Sequence, residues 1–323
     1  MPRVLVVLNP MAGSADENVR EVIERHLAEH GWECDVHETR EHEDLGVVTR
    51  EAVEAGVDLC VSAGGDGTVA GVAGGLAHTD VPLGIVPVGT GNVLAQELGV
   101  PADTAGALDL LTGDHDVADL DAMNVGERYF LLNVSAGIGS LSMRDTEREA
   151  KRRFGLLAYI VTTLRILIGY QPRRFTVTVD GEARRLRASE VMVANSAAIG
   201  NPGVRLGANV YLDDGRLDLC VIRARTILDY IGLAWSVLAR QQERSRQVSC
   251  IPVRERVRID ARHRLPVEAD GEIIGETPVE VRFVPAALRV IVPRERPHHE
   301  APREPRTEAM EGAVAPPPAG PRR

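Results

Sequence analysis

Three short stretches hold residue types suited to gripping a phosphate: Asn9-Pro10-Met11-Ala12-Gly13, Gly64-Gly65-Asp66-Gly67-Thr68-Val69-Ala70-Gly71 and Gly89-Thr90-Gly91-Asn92. Glycine removes Cβ, so successive backbone N–H groups can close on phosphate oxygens, and a helix starting near Thr68 adds the positive end of its dipole. An anion cradle is the chemistry this composition offers. Asp66 is its odd member, because a carboxylate inside such a cradle is unfavourable unless a metal ion or a transferable proton compensates it. A dinucleotide-binding loop of the GxGxxG type is not present in this stretch. A P-loop needs a lysine on the phosphates, and the single lysine of the chain, Lys151, is far from these loops in sequence. The glycines could also serve only as tight strand-to-helix turns.

The elements around these loops alternate. "RVLVVL" reads as a buried strand and "NVREVIERHLAEHG" as an amphipathic helix; "ECDVHET" precedes a helix near residues 43–55; "LCVSA" precedes the glycine loop; "LGIVPV" precedes "GTGNVLAQELG". The pattern predicts a doubly wound parallel α/β domain over residues 1–120, with ligands at the carboxyl ends of its strands. All three loops leave those ends, so one site can draw on all of them. After about residue 120, short alternating strands such as "FTVTVDGEARRLRA", "EVMVANS", "RLDLCVI" and "PVEVRFV" predict an antiparallel β-sandwich-like domain over residues 121–293. Helical patterns recur near 154–169 and 226–242. The segment 294–323 has seven prolines among thirty residues and reads as a disordered tail.

Composition narrows the function. The 323 residues are 44% apolar with a net charge of −10, which supplies a core and argues against nucleic acid as a partner. Cys34, Cys60, Cys220 and Cys250 form no CxxC pair, so reduced thiols and no zinc site are expected. No N-terminal signal pattern is evident, and the longest apolar run, "FGLLAYIVTTLRILIGY", is interrupted by Arg165. A cytoplasmic chain that can touch the inner face of a membrane is expected.

GGDGT at 64–68, PxGTGN at 87–92, an opening strand ending in NPxxG, and DGE followed by TP near the C-terminus together resemble the diacylglycerol kinase catalytic-domain family, which includes bacterial lipid kinases and the sphingosine and ceramide kinases. The resemblance covers roughly residues 3 to 293. It implies a two-domain fold with ATP in the interdomain cleft and phosphoryl transfer to a lipid hydroxyl, with diacylglycerol the first candidate. Nucleotide contacts would fall on Asn9 to Gly13, Thr39, Gly64 to Gly71, and Thr90 to Asn92. The matching DGE, Asp270-Gly271-Glu272, would supply the proton acceptor, Glu272 with Asp270 beside it, while Asp66 would help hold Mg-ATP. A second copy, Asp180-Gly181-Glu182, lies between two alternating strands and reads as an ordinary hairpin turn. The resemblance further implies a structural Mg²⁺ held by the Asp214 side chain and the carbonyls of Tyr211 and Arg216. The sequence itself also permits a turn there.

A basic cluster, Lys151-Arg152-Arg153, runs into the apolar pattern of 154–169, which would suit a helix resting on anionic headgroups, packing in the core or forming a homodimer contact. Two other functions share parts of the pattern. A NAD kinase also carries GGDGT, and a non-catalytic nucleotide- or lipid-binding regulator would keep the cradle without transfer.

Overall fold

The computed structural model describes residues 1–13, 18–145, 172–196, 198, 199, 201–205, 210–224, 226, 228, 229, 232, 235 and 247–295. The first region alternates as expected: β1 (Arg3–Leu8), α1 (Val19–Glu29), β2 (Glu33–Glu38), α2 (Leu45–Glu54), β3 (Leu59–Gly64), α3 (Asp66–Leu76), β4 (Leu83–Pro87), α4 (Val93–Glu97) and α5 (Thr104–Thr112). The four strands are parallel in the order β2-β1-β3-β4. β3 and β4 are buried along their whole length, which is why they read as continuous apolar runs instead of alternating ones. α2 and α5 begin where the Asp44 and Asp103 carboxylates accept first-turn amides.

The remaining elements are β5 (Asp116–Val125), β6 (Arg128–Phe130), β7 (Asn133–Gly137), α6 (Ile138–Asp145), β8 (Arg173–Val179), β9 (Glu182–Ala188), β10 (Glu190–Ala194), β11 (Ala198–Ile199), β12 (Asn201–Arg205), β13 (Leu217–Ile222), β14 (Val248–Val253), β15 (Arg256–Ala261), β16 (Pro266–Ala269), β17 (Glu272–Glu276) and β18 (Val279–Val292). β18 lies beside β4 and also pairs with β5, so the parallel sheet continues as β2-β1-β3-β4-β18-β15-β8-β9, with β5 and β6 attached, to ten strands. A second, antiparallel sheet runs β14-β13-β10-β7-β16-β17. Phe175, Val177, Ile259 and Val281 of the first sheet and Val134, Val193, Leu219 and Val267 of the second are all buried in one core. The second half is therefore a sandwich, and one of its two sheets is the far end of the sheet begun by β1 to β4.

Three expectations change. The run "RYFLLNV" at 128–134, which also reads as one short alternating strand, is divided: the amides of Leu131, Leu132 and Asn133 turn away to the Asp270 carboxylate, which ends β6 and starts β7. α6 follows β7 where no helix was expected. The cysteines are not all thiols, because antiparallel register places Cys220 of β13 opposite Cys250 of β14 and the two form a disulfide. Cys34 and Cys60 are free. The basic cluster 151–153, the helical pattern 154–169, most of 226–242 and the tail beyond Glu295 lie outside the described residues. Among the described residues no helix is long and apolar enough to cross a membrane.

Candidate active site

A cleft of about 1740 Å³ lies between the two halves. One wall comes from the ends of the parallel strands: Asn9, Ala12 and Gly13 after β1, Thr39 after β2, Gly65, Gly67, Thr68, Ala70 and Gly71 around the start of α3, and Gly89 and Thr90 after β4. Opposite stand the β5–β6 hairpin, Glu127 to Phe130, and the β16–β17 turn, Ala269 to Ile273. The two stretches of this opposite wall are themselves 144 residues apart in sequence and are joined where Arg128 donates to Glu272.

The floor of the cleft is the N-terminus of α3. Its capping residue is Gly65, and no side chain among the described residues caps it, unlike α2 and α5. The Thr68 amide bonds back to the Gly65 carbonyl at 3.0 Å, which leaves the Asp66 and Gly67 amides and the helix dipole to a ligand. Backbone packing explains two further glycines here. A Cβ on Gly89 would stand 2.5 Å from Gly65 Cα, so the β3 and β4 loops can touch only as glycines. A Cβ on Gly13 would stand 2.7 Å from Thr90 Oγ1, which brings the β1 loop into the same contact. Asn9 Nδ2 reaches Thr68 Oγ1 at 3.4 Å while its Oδ1 accepts from the Met11 amide at 3.0 Å. All three expected loops therefore converge.

Not every expected residue faces the cleft. Met11 is 83% exposed, and Pro10, Met11, Gly64, Asp66, Val69, Gly91 and Asn92 are absent from the lining. Asp66 instead clamps two loops, since its Oδ1 accepts from the Leu94 amide of α4 at 3.1 Å. Asn92, with φ +49°, ties its own loop by donating from Nδ2 to the Gly89 carbonyl at 2.6 Å. Gly71 lines the cleft but also lies against Leu45, and a Cβ on Gly75 would stand 2.5 Å from the Gly46 carbonyl. Part of the glycine density therefore serves close packing of α3 on α2.

From the opposite wall, Glu272 reaches over α3. A Cβ on Gly67 would lie 3.3 Å from its Oε1, and its Oε2 accepts from Arg128 Nη2 at 3.2 Å. Asp270 is occupied differently. Its Oδ2 accepts from the Leu131 amide at 2.7 Å and its Oδ1 from Leu132 and Asn133 at 3.0 and 2.9 Å. Burial pushes this carboxyl up to about 6; the three amides oppose the shift and Glu268 adds to it. Both Asp270 oxygens are thus engaged by amides at the start of β7, which ties the turn bearing Glu272 to the bend between β6 and β7.

Sequence reasoning missed Arg40, His42, Asp44 and Arg50 on the β2–α2 side and Glu127 to Phe130 opposite. The arginines bring positive charge to a cleft whose loops have no lysine. The hairpin turn at Gly126, φ +65°, was the one local signal for the second group.

Away from the cleft, Asp214 has both carboxylate oxygens buried without a hydrogen-bond partner among the described residues. Arg216 Nε stands 3.3 Å from Asp214 Oδ2. Burial, against the Arg216 charge and with Asp218 and Asp121 adding, pushes its carboxyl up to about 6. Among the described residues no group of three or more His, Cys, Asp or Glu side chains is placed to hold a metal. A single buried carboxylate, met among the described residues only by Arg216, does fit one cation completed by backbone carbonyls.

Residues 3–125 match the diacylglycerol kinase catalytic domain, and residues 132–292 match the YegS C-terminal NAD kinase beta sandwich-like domain. The chain is 28% identical over 314 residues to the diacylglycerol kinase of Bacillus subtilis (strain 168), covering 92% of this chain and 98% of that one. It is 31% identical over 316 residues to a Pseudomonas aeruginosa protein named "Probable lipid kinase YegS-like", covering 94% and 98%. A crystal structure of a diacylglycerol kinase from Bacillus anthracis str. Sterne superposes with a TM-score of 0.74 at 26% identity, over 90% of this chain and 97% of the other. With the strand-end wall of the cleft in the first matched domain and the β16–β17 turn in the second, this chain belongs to the diacylglycerol kinase catalytic-domain family and is a lipid kinase.

Proposed function

We propose that the chain transfers the γ-phosphoryl group of ATP to the free hydroxyl of diacylglycerol, giving phosphatidic acid. The observation that carries this reading is the uncapped N-terminus of α3 on the cleft floor, with Glu272 reaching over it from the other half. Residues 1–120 would bind the nucleotide and 121–293 the acceptor. The α3 amides and dipole hold phosphate oxygens, and Arg128 adds positive charge beside Glu272. Thr39, Thr90 and the Asn9 turn shape the remainder of the nucleotide wall. The acceptor oxygen attacks the γ-phosphorus, the bond from that phosphorus to the β,γ-bridging oxygen breaks, ADP leaves, and the hydroxyl proton passes to Glu272. Since phosphoryl transfer depends mostly on positioning and charge stabilisation, one carboxylate and a set of oriented amides are sufficient protein chemistry.

Mg²⁺ bound with ATP would neutralise phosphate charge, and Asp66, the only carboxylate of the three loops, would support it while locking the β3 and β4 loops. A second, structural Mg²⁺ would be held by Asp214 with the Tyr211 and Arg216 carbonyls. The acceptor assignment draws on the Bacillus subtilis relative named a diacylglycerol kinase.

The test is incubation of the purified chain with γ-labelled ATP, Mg²⁺ and a panel of diacylglycerol, phosphatidylglycerol, sphingosine, ceramide and NAD. Labelled phosphatidic acid is expected. A different labelled lipid would replace diacylglycerol as the acceptor, labelled NADP would favour the NAD-kinase reading, and nucleotide binding without transfer would favour the regulator.

A further inference from the structure

We propose that the solvent-facing side of β8, β9, β15 and β18 is a docking surface for the anionic leaflet of a lipid bilayer. Strand alternation sends Phe175, Val177, Val257, Ile259 and Val281 into the core, so their neighbours point outward. Those neighbours include six exposed arginines: Arg174, Arg185, Arg187, Arg256, Arg258 and Arg282. Among the described residues only two carboxylates, Asp260 and Glu280, share the face. Arg282 pairs with Glu280 at 2.9 Å, while the side chains of Arg174, Arg185, Arg187, Arg256 and Arg258 have no ion pair among the described residues. At the hairpin end of the face, Glu182 is paired with Arg184, and Asp180 is engaged by three amides. The face is basic on a chain whose net charge is −10.

The register sharpens the point. Arg174 lies directly opposite Arg187, and Arg256 directly opposite Arg282. Like charges facing each other across strands are destabilising, so the fold carries a cost that Glu280, paired with Arg282 and opposite Arg258, offsets only in part. Protection of a free sheet edge by charge would account for β9 alone, because β8, β15 and β18 are interior strands. A bilayer is the partner that suits the arrangement. The charges spread over four strands, about 15 Å across at the usual strand spacing, which is the scale of several headgroups and not of one phosphate.

Position supports the same partner. A single cross-strand row runs Arg256, Arg282, Asn124, Tyr129, and Tyr129 lines the cleft. A groove of about 380 Å³ bordered by Gly126, Ile274, Glu276 and Arg282 lies between the face and the β17 strand that carries Glu272. Docking by this face would bring the cleft beside the surface in which the acceptor lipid resides.

The test is co-sedimentation of the full chain with vesicles of phosphatidylcholine alone and of phosphatidylcholine mixed with phosphatidylglycerol, at low and high salt. Binding is expected only to the anionic vesicles and should weaken as salt screens it. The triple variant Arg185→Gln, Arg187→Gln, Arg256→Gln should lower the partition coefficient by roughly five-fold per arginine, about a hundred-fold in all. Turnover on a short-chain, water-soluble substrate should stay unchanged. Replacing the same three by lysine should restore binding, and a charge-matched triple on the other half, Arg20→Gln, Arg25→Gln, Arg294→Gln, should leave it intact. Melting temperatures establish that each variant is folded. Wild-type protein that ignores anionic vesicles, or equal loss in the two glutamine triples, would overturn the proposal; vesicle binding does not depend on which lipid is phosphorylated.

Discussion

The chain contains Asp-Gly-Glu twice, and the two copies fold alike to an extent that sequence could not disclose. Asp180 and Asp270 both close a hairpin with positive φ, +46° and +45°, followed by Gly181 and Gly271 at +92° and +87°. Asp180 accepts the amides of Arg254, Glu255 and Arg256 ahead of β15, just as Asp270 accepts those of Leu131, Leu132 and Asn133 ahead of β7. In each case an aspartate pins the start of a neighbouring strand. What differs is the address. Glu182 follows its turn into open solvent and bonds Arg184 two residues on, whereas Glu272 follows its turn into the cleft above α3. The triplet therefore encodes a way of holding a glutamate, and its surroundings decide whether that glutamate does chemistry.

The comparison breaks most sharply at the two glutamates. Glu272→Gln should lower lipid-kinase turnover by about a hundred- to ten-thousand-fold, the usual range for losing a general base. Glu182→Gln should leave turnover unchanged and alter stability by a few tenths of a kcal/mol at most, roughly the scale of a surface change. Steady-state kinetics on both variants decide it. The loss at Glu272 should appear in kcat with little change in ATP KM, because the nucleotide wall is made by other residues. Full activity in Glu272→Gln would remove it as the base.

The aspartates should differ less in turnover. Asp270→Asn replaces an oxygen that accepts amides with an NH₂ group that faces them, so at least one backbone donor loses its partner, a destabilisation of about 1–3 kcal/mol. Turnover should fall about ten- to a hundred-fold through displacement of Glu272, given how steeply rate depends on placement. Asp180→Asn breaks the same kind of bonds at a more exposed site and should cost less than about 1 kcal/mol with no kinetic effect. The glycines should be closer still. Neither Gly181 nor Gly271 has an atom within 4 Å of a Cβ, so alanine meets only the positive-φ penalty. Equal losses of about 1 kcal/mol are expected in thermal melts of Gly181→Ala and Gly271→Ala. Only the second should also slow turnover.

What the sequence disclosed was local. The phosphate-compatible loops were visible because glycine, asparagine and threonine must sit at particular strand ends, and those ends were marked by apolar periodicity. The resemblance pointed to Glu272 over Glu182. What stayed hidden depended on contacts across long stretches of chain: the Arg128–Glu272 pair, the capture of Leu131 to Asn133 by Asp270, the return of β18 to β4, and the Cys220–Cys250 pairing. No spacing rule links residues that meet only through sheet register. Gly71 shows the converse error, since a glycine counted toward a phosphate cradle also joins Gly75 in letting α2 approach α3.

The finest separation between the two triplets is the sign of their pH dependence. Burial raises the Asp270 carboxyl to about 6, above the ordinary value near 3.9 expected when unfolded. At Asp180, burial pulls the same way but is outweighed by the amides of Arg256, Arg254 and Glu255 and the Arg254 charge, so the carboxyl is held below its ordinary value. For Asp270 the folded state binds the proton more tightly, so its contribution to stability is fully present below about pH 4 and is lost as pH rises through about 6. For Asp180 the contribution is present above the ordinary value and is lost as pH falls through the depressed one. The melting-temperature gap between wild type and Asp270→Asn should therefore narrow from about pH 4 to about pH 7, while the gap to Asp180→Asn should be widest at neutral pH and narrow on acidification. Taking each gap against its own asparagine variant cancels the other raised carboxyls, Glu190 near 7 and Asp214 near 6, which titrate in the same window. Gaps that moved in the same direction would mean that burial does not separate the two hairpins, and the environment argued here to distinguish Asp270 from Asp180 would have to be sought in the cleft-facing Glu272 alone.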